Sequence, residues 1–105
     1  MDAQLKRGLI EVCVLSVINR QDSYGYQIIE DMKSCTDISE STLYPILRRL
    51  ESGGLVESYS LEYSGRLRKY YRILQPGKVR IAEFEKEWAE MVRIHSFVAE
   101  GQIND

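Results

Sequence analysis

Histidine occurs once in this chain of 105 residues, tryptophan once, and cysteine and proline twice each. One histidine, with Cys13 and Cys35 far apart, supplies no Cys/His zinc cage, so no metal is expected. Two cysteines make no disulfide framework, and the expected compartment is the cytoplasm. No apolar run approaches the ~20 residues that a membrane span needs. The opening Met1-Asp2-Ala3-Gln4-Leu5-Lys6 lacks the apolar core of a signal peptide. There is no overall excess of positive charge: the formal net charge is −2, which excludes a strongly basic nucleic-acid binder. Phosphate-binding glycine loops, HExxH and a Ser/His/Asp set in its usual context are all missing, so neither an enzyme nor a cofactor is expected. No repeat, low-complexity tract or Pro/Gly/Ser-rich linker divides the chain.

What remains is a globular composition, 44% hydrophobic and 29% charged. A domain of this size buries about two-thirds of its unfolded surface, enough for one small core. The charge is unevenly placed. Between Ser41 and Arg72, Arg48, Arg49, Arg66, Arg68, Lys69 and Arg72 face only Glu51, Glu57 and Glu62, a local excess of +3 in a chain that totals −2. Such asymmetry is what an electrostatically oriented surface needs. Seven tyrosines are present, and Tyr59, Tyr63, Tyr70 and Tyr71 fall in one short region.

The β-branched run from Leu5 to Asn19 would suit a buried strand by composition. Its length without a turn signal favours a helix buried on more than one side. Ser23 offers a cap for a second helix from Tyr24 to about Ser34, and Gly25 would allow another element to approach closely. In the third segment Leu43, Ile46, Leu47 and Leu50 recur at i, i+3, i+4 and i+7, one buried helical stripe ended by Gly53-Gly54. Ser41, Pro45, Arg48 and Ser52 lie opposite that stripe, with Tyr44 and Arg49 flanking. A cap at Ser41, or a distorted start, is expected; a cap at Ser39 would place Pro45 in the helix interior at a cost of about 3 kcal/mol.

Leu55–Leu61 and Leu67–Ile73 read as two strands joined by a loop from Glu62 to Arg66. Alternation puts Leu67, Tyr71 and Ile73 on one face and Arg66, Arg68, Tyr70 and Arg72 on the other. A last helix runs from Pro76 to about Glu100, with Gly101 as its stop. Ile81, Phe84, Trp88, Met91, His95 and Val98 follow the 3-4 spacing of a heptad seam. At 1.5 Å per residue that helix outreaches a small domain, so a second copy of the chain is expected to cover the seam. The division expected is a winged helix-turn-helix over residues 1–75 and a dimerisation helix over 76–105.

Three helices followed by a twisted hairpin define a winged helix-turn-helix, mainly α with a small β-hairpin. In that architecture the third helix enters the major groove of DNA and the hairpin lies along the backbone. Arg48 can be bidentate to a guanine edge. Ser41, Thr42 and Tyr44 carry hydroxyls for phosphates or bases, and Arg66, Arg68 and Lys69 neutralise phosphates. The run Thr42-Leu43-Tyr44-Pro45-Ile46-Leu47-Arg48-Arg49-Leu50-Glu51-Ser52-Gly53-Gly54-Leu55 is followed by Gly65-Arg66-Leu67-Arg68-Lys69-Tyr70-Tyr71-Arg72. Together with Tyr24-Gly25-Tyr26-Gln27-Ile28, it resembles the PadR family of bacterial transcriptional regulators, and its smaller subgroup with a single last helix. The resemblance implies a dimeric repressor on a palindromic operator, with DNA contacts from Ser41, Thr42, Tyr44, Pro45, Arg48, Arg49, Arg66, Arg68 and Lys69. It also implies that a small aromatic effector is bound at the dimer interface, with Trp88 as its platform. Ile81, Phe84, Trp88, Met91 and Val98 are the expected dimer contacts. Two departures stand out: Ile73-Leu74-Gln75-Pro76-Gly77 replaces the family's Leu-Thr-Glu-Lys-Gly, so Pro76 is expected to open the last helix. Leu67 stands where the family often has a basic residue.

Plainer readings exist for each residue. Arg48 and Arg49 suit a solvated helix face, the basic hairpin suits a protected sheet edge, and the tyrosines are good strand formers. Trp88 suits a closed seam and His95 a tolerated seam position. Cys13 and Cys35 suit small packed hydrophobes, since a redox sensor would need a lowered thiol pKa. The alternative function is a winged-helix module that docks another protein through its tyrosine-rich hairpin and binds no DNA.

Overall fold

The computed structural model describes residues 1–104. Its elements follow in the order α1 (Ala3–Arg20), β1 (Ser23–Tyr24), α2 (Gly25–Met32), α3 (Glu40–Ser52), β2 (Val56–Tyr63), β3 (Arg66–Ile73) and α4 (Gln75–Asn104). The strands form one antiparallel sheet in the order β1-β3-β2. The fold is mainly helical with a small sheet, as the residue pattern predicts.

α1 starts at Asp2, whose carboxylate accepts from the backbone N–H of Gln4 at 2.8 Å and of Leu5 at 3.1 Å. Its apolar run is a helix, and Val14, Leu15 and Ile18 are buried at its centre. Ile28 and Met32 of α2 meet Leu43, Ile46, Leu47 and Leu50 of α3 in the same core, with Val56 and Tyr71 closing it from the sheet. The stripe expected on α3 is therefore the one that is buried.

Several boundaries differ from expectation. Ser23 and Tyr24 do not open a helix but pair as β1 with Tyr71 and Tyr70 of β3. Tyr24 takes the cap position of α2 without a side-chain hydrogen bond. The extended backbone gains ladder partners there, which a serine cap would forgo. α3 is capped by Ser39 and not by Ser41: Ser39 Oγ accepts from the Thr42 N–H at 3.3 Å, and its carbonyl accepts from Leu43 N–H at 3.0 Å. Pro45 consequently lies inside the helix. The donor it lacks would have served the carbonyl of Ser41, in the exposed first turn, where water can replace it.

The hairpin is tighter than expected. Only Ser64 and Gly65 separate the strands, both at positive φ (51° and 79°), the backbone that a twisted two-residue turn requires. Tyr71 is buried and Ile73 half-buried on the inner face, but Leu67 is 78% exposed because the hairpin tip projects past the core. α4 begins at Gln75, one residue ahead of Pro76. It runs through Gly101, which stops nothing, to Asn104. Its start is docked by the Leu74 N–H donating to the Leu55 carbonyl at 3.0 Å, and Gly77 packs so closely on that carbonyl and on Ile73 that no Cβ fits. With 30 residues α4 is about 45 Å long, and the molecule extends 64 × 26 × 20 Å.

Candidate nucleic-acid interface

Burying the Leu43-Ile46-Leu47-Leu50 stripe turns the opposite face of α3 outward. Ser41, Thr42, Tyr44, Arg48 and Arg49 are exposed there and Pro45 half-exposed. These side chains divide between the two flanks of the helix. On one flank Tyr44 joins the hairpin. An open groove of about 570 Å³ is walled by Tyr24 and Tyr26, by Tyr44, and by Tyr63, Arg66, Arg68 and Lys69 of the wing. Tyr44 lies so close to Gly25 that a Cβ there would fall 2.7 Å from its hydroxyl. Gly25 thus leaves room for the Tyr44 ring tip against the start of α2.

On the other flank Ser41, Thr42, Pro45 and Arg49 share a shallow hollow with Lys6 and Arg7 of α1. Those two cations escape a reading of the sequence, which sees them only as the exposed side of a first helix. Their value lies in the packing of α1 beside the start of α3. Arg48 lines neither hollow and stands on the outward ridge between them.

The cations are not equally available. Arg49 donates through Nη2 at 2.9 Å and Nε at 3.1 Å to one oxygen of Glu11. Lys69 stands 3.7 Å from Glu51, which also accepts from the Ser58 hydroxyl. Arg72, on the same face of β3 as Arg66 and Arg68 but outside the groove, stands between Asp22 at 3.3 Å and Glu57 at 3.1 Å. Asp22 also accepts from the Tyr59 hydroxyl, a bond that holds the phenol above its ordinary pKa. Arg68 lies between two rings, 4.0 Å from the centroids of both Tyr24 and Tyr63. Among the described residues, Arg48 and Arg66 have no acidic partner.

Along α4 the exposed apolar residues are more numerous than the expected seam. Ile81 is half-buried against the domain's own core, and Phe84 stacks on Trp88 with centroids 6.3 Å apart. Trp88 is 49% exposed beside Met91, Val92 and His95, around an apolar hollow of about 330 Å³. Val98 is exposed, and so are Val92, Ile94 and Phe97, three residues the heptad omits.

A helix-turn-helix whose outward helix sits beside a basic hairpin is a winged helix-turn-helix. Residues 14–83 match the Transcriptional regulator PadR-like family, and the chain belongs to it. That membership places it among transcriptional regulators and not among enzymes. The chain is 38% identical over 91 residues to the Transcriptional regulator Rv3488 of Mycobacterium tuberculosis, covering 86% of this chain and 85% of the relative. It is 39% identical to the crystal structure of smu.1704 from Streptococcus mutans UA159, with a TM-score of 0.79 over 90% of each chain. The Bacillus subtilis PadR structure in complex with operator DNA shares the fold at 18% identity, with a TM-score of 0.68 over 72% of this chain and 46% of that one.

Proposed function

We propose that the protein is a cytoplasmic, homodimeric repressor that binds an inverted-repeat operator in double-stranded DNA. One observation carries the reading: Tyr44 on the outward side of α3 and Arg66, Arg68 and Lys69 of the wing wall the same groove. In this division of labour α3 enters the major groove. Arg48, without an acidic partner among the described residues, reads a guanine edge. Ser41, Thr42, Tyr44 and Pro45 shape the fit to the groove wall. Arg66 and Lys69 neutralise phosphates, Arg49 joins them once it leaves Glu11, and Arg68 holds the wing in place. Complex formation by the B. subtilis PadR with operator DNA supports this use of the shared fold.

Residues 1–75 form the DNA-binding unit and 76–104 the dimerisation helix, with Asp105 outside the described residues. The exposed apolar side chains of α4, Trp88, Met91 and Val98 among them, meet their copies across a two-fold axis, with Ile81 and Phe84 at the end nearer the head. Two-fold symmetry then requires half-sites about 34 Å apart or a multiple of that. A planar aromatic effector binds between the two Trp88 rings and relieves repression by favouring one spacing of the heads.

Selection of bound fragments from random DNA tests binding and half-site spacing together. Recovery of an inverted repeat is the expected result. Recovery of no sequence, with partner proteins retained on the tyrosine-rich hairpin, would replace this reading with a protein-docking one. Titration of planar aromatics against the fluorescence of Trp88 tests the effector; a varied panel that produces no saturable change would remove it.

A further inference from the structure

Cys13 lies on α1 and Cys35 in the turn between α2 and α3. Folding brings them together. Two hollows open beside them, one bounded by Leu9 and Ile10, the other by Val17 and Met32, and both cysteines stand in the wall of each. Both are free thiols, Cys13 half-buried and Cys35 exposed. Burial above all, and then the neighbouring Cys35 thiol, push the Cys13 thiol up from its ordinary value.

We propose that Cys13 and Cys35 form a reversible dithiol–disulfide couple, oxidised by low-molecular-weight disulfides, that staples α1 to the turn preceding the outward helix. Cys35, the exposed thiol, is the point of attack: its thiolate displaces one thiolate from the incoming disulfide and leaves a mixed disulfide. Cys13, after losing its proton, attacks the Cys35 sulfur and expels the second thiolate. The protein loses two hydrogens, and one small disulfide is reduced to two thiols. The raised Cys13 pKa lowers the share of thiolate available for closure, which is why the test is run in mildly alkaline buffer. Position gives the staple its effect. Cys35 follows the last turn of α2, its N–H donating to the Met32 carbonyl at 2.8 Å, and Ser39 caps α3 shortly after. The proposal does not depend on what the outward face of α3 binds.

The test is incubation of the intact protein with oxidised glutathione in mildly alkaline buffer, read by thiol titration, intact mass and thermal melting. Closure predicts loss of both thiols, a mass lower by two hydrogens, a monomeric chain on non-reducing gels, and a melting point higher by several degrees, all reversed by dithiothreitol. Cys35→Ser, at an exposed position where folding is undisturbed, should leave Cys13 unmodified. Cys13→Ser should stop at a lasting glutathione adduct. A lasting adduct on the unsubstituted protein, a Cys35 cross-link between chains, or two unreacted thiols would each overturn the proposal.

Discussion

The guanidinium of Arg68 stands over the ring of Tyr24, 4.0 Å from its centroid, and at the same distance from Tyr63 on its other side. Tyr24 belongs to β1, at the entrance to α2, and Tyr63 to the end of β2. Arg68 therefore ties the tip of the wing to the helix-turn-helix, and its charge faces π-systems more than solvent. Arg68→Ala should weaken operator binding about tenfold by loosening the wing, while leaving the salt dependence nearly unchanged. Arg66→Ala should instead lower the slope of log affinity against log salt by about 0.9, the signature of one lost phosphate contact. Affinity measured across a salt series separates the two. Equal slope losses would make Arg68 a phosphate ligand like Arg66.

The Arg49–Glu11 pair sets a second expectation. Both side chains are partly exposed, 47% and 29%, so the pair is worth about 0.2–1 kcal/mol of stability at most. Glu11→Gln should scarcely move the melting point. It should tighten DNA binding at low salt, because it removes one negative charge from the surface that carries Lys6 and Arg7 and frees Arg49 for phosphate. Unchanged affinity in a gel shift at low salt would place Arg49 outside the interface.

Two glycines should respond in opposite directions to the same change. Gly77→Ala drives a methyl group into the Leu55 carbonyl and the Ile73 side chain, at the point where α4 docks. Backbone cannot yield as a flexible side chain can, so a loss of about 1–3 kcal/mol is expected. Gly8→Ala places its methyl in open space within α1 and should stabilise by about 0.5–1 kcal/mol. Denaturant melts of the two variants check the pair.

The parts legible in the sequence are those with a period. Leu43, Ile46, Leu47 and Leu50 announce both the buried side of α3 and, by difference, its outward residues. Two-residue features have no period, so β1 goes unseen and Ser23 reads as a cap. Pro45 makes Ser41 the favoured cap by local cost, yet Ser39 is the one the fold uses, with Leu43 buried in the core. Gly101 looks like a stop, but α4 passes through it, as a glycine in a helix costs only about 1 kcal/mol. Relations between distant segments were beyond any pattern. Lys6 and Arg7 beside α3, the Arg68 clamp and the meeting of Cys13 with Cys35 all depend on how α1, α2 and the wing pack.

The proposed dimer offers the last prediction. Phe97 is 78% exposed and Ile94 57%, on a helix whose far half touches nothing in its own domain that would cover them. Burying a phenylalanine side chain is worth about 1.5–3 kcal/mol, and a two-fold interface counts each residue twice. Phe97→Asp should therefore raise the dimer dissociation constant by roughly a hundredfold or more, since about 1.4 kcal/mol is a factor of ten. The winged head lies at the other end of α4 and should keep its helicity and its melting transition. Sedimentation at micromolar concentration should then show single chains where the unsubstituted protein shows pairs, and operator affinity should fall as the second half-site is lost. The narrow seam of Ile81, Phe84, Trp88, Met91 and Val98 makes a different forecast: Phe97 lies beside it, and Phe97→Asp would leave the pair intact while Met91→Asp split it. Unsubstituted protein that sedimented as single chains would end both accounts, and with them the requirement for an inverted repeat.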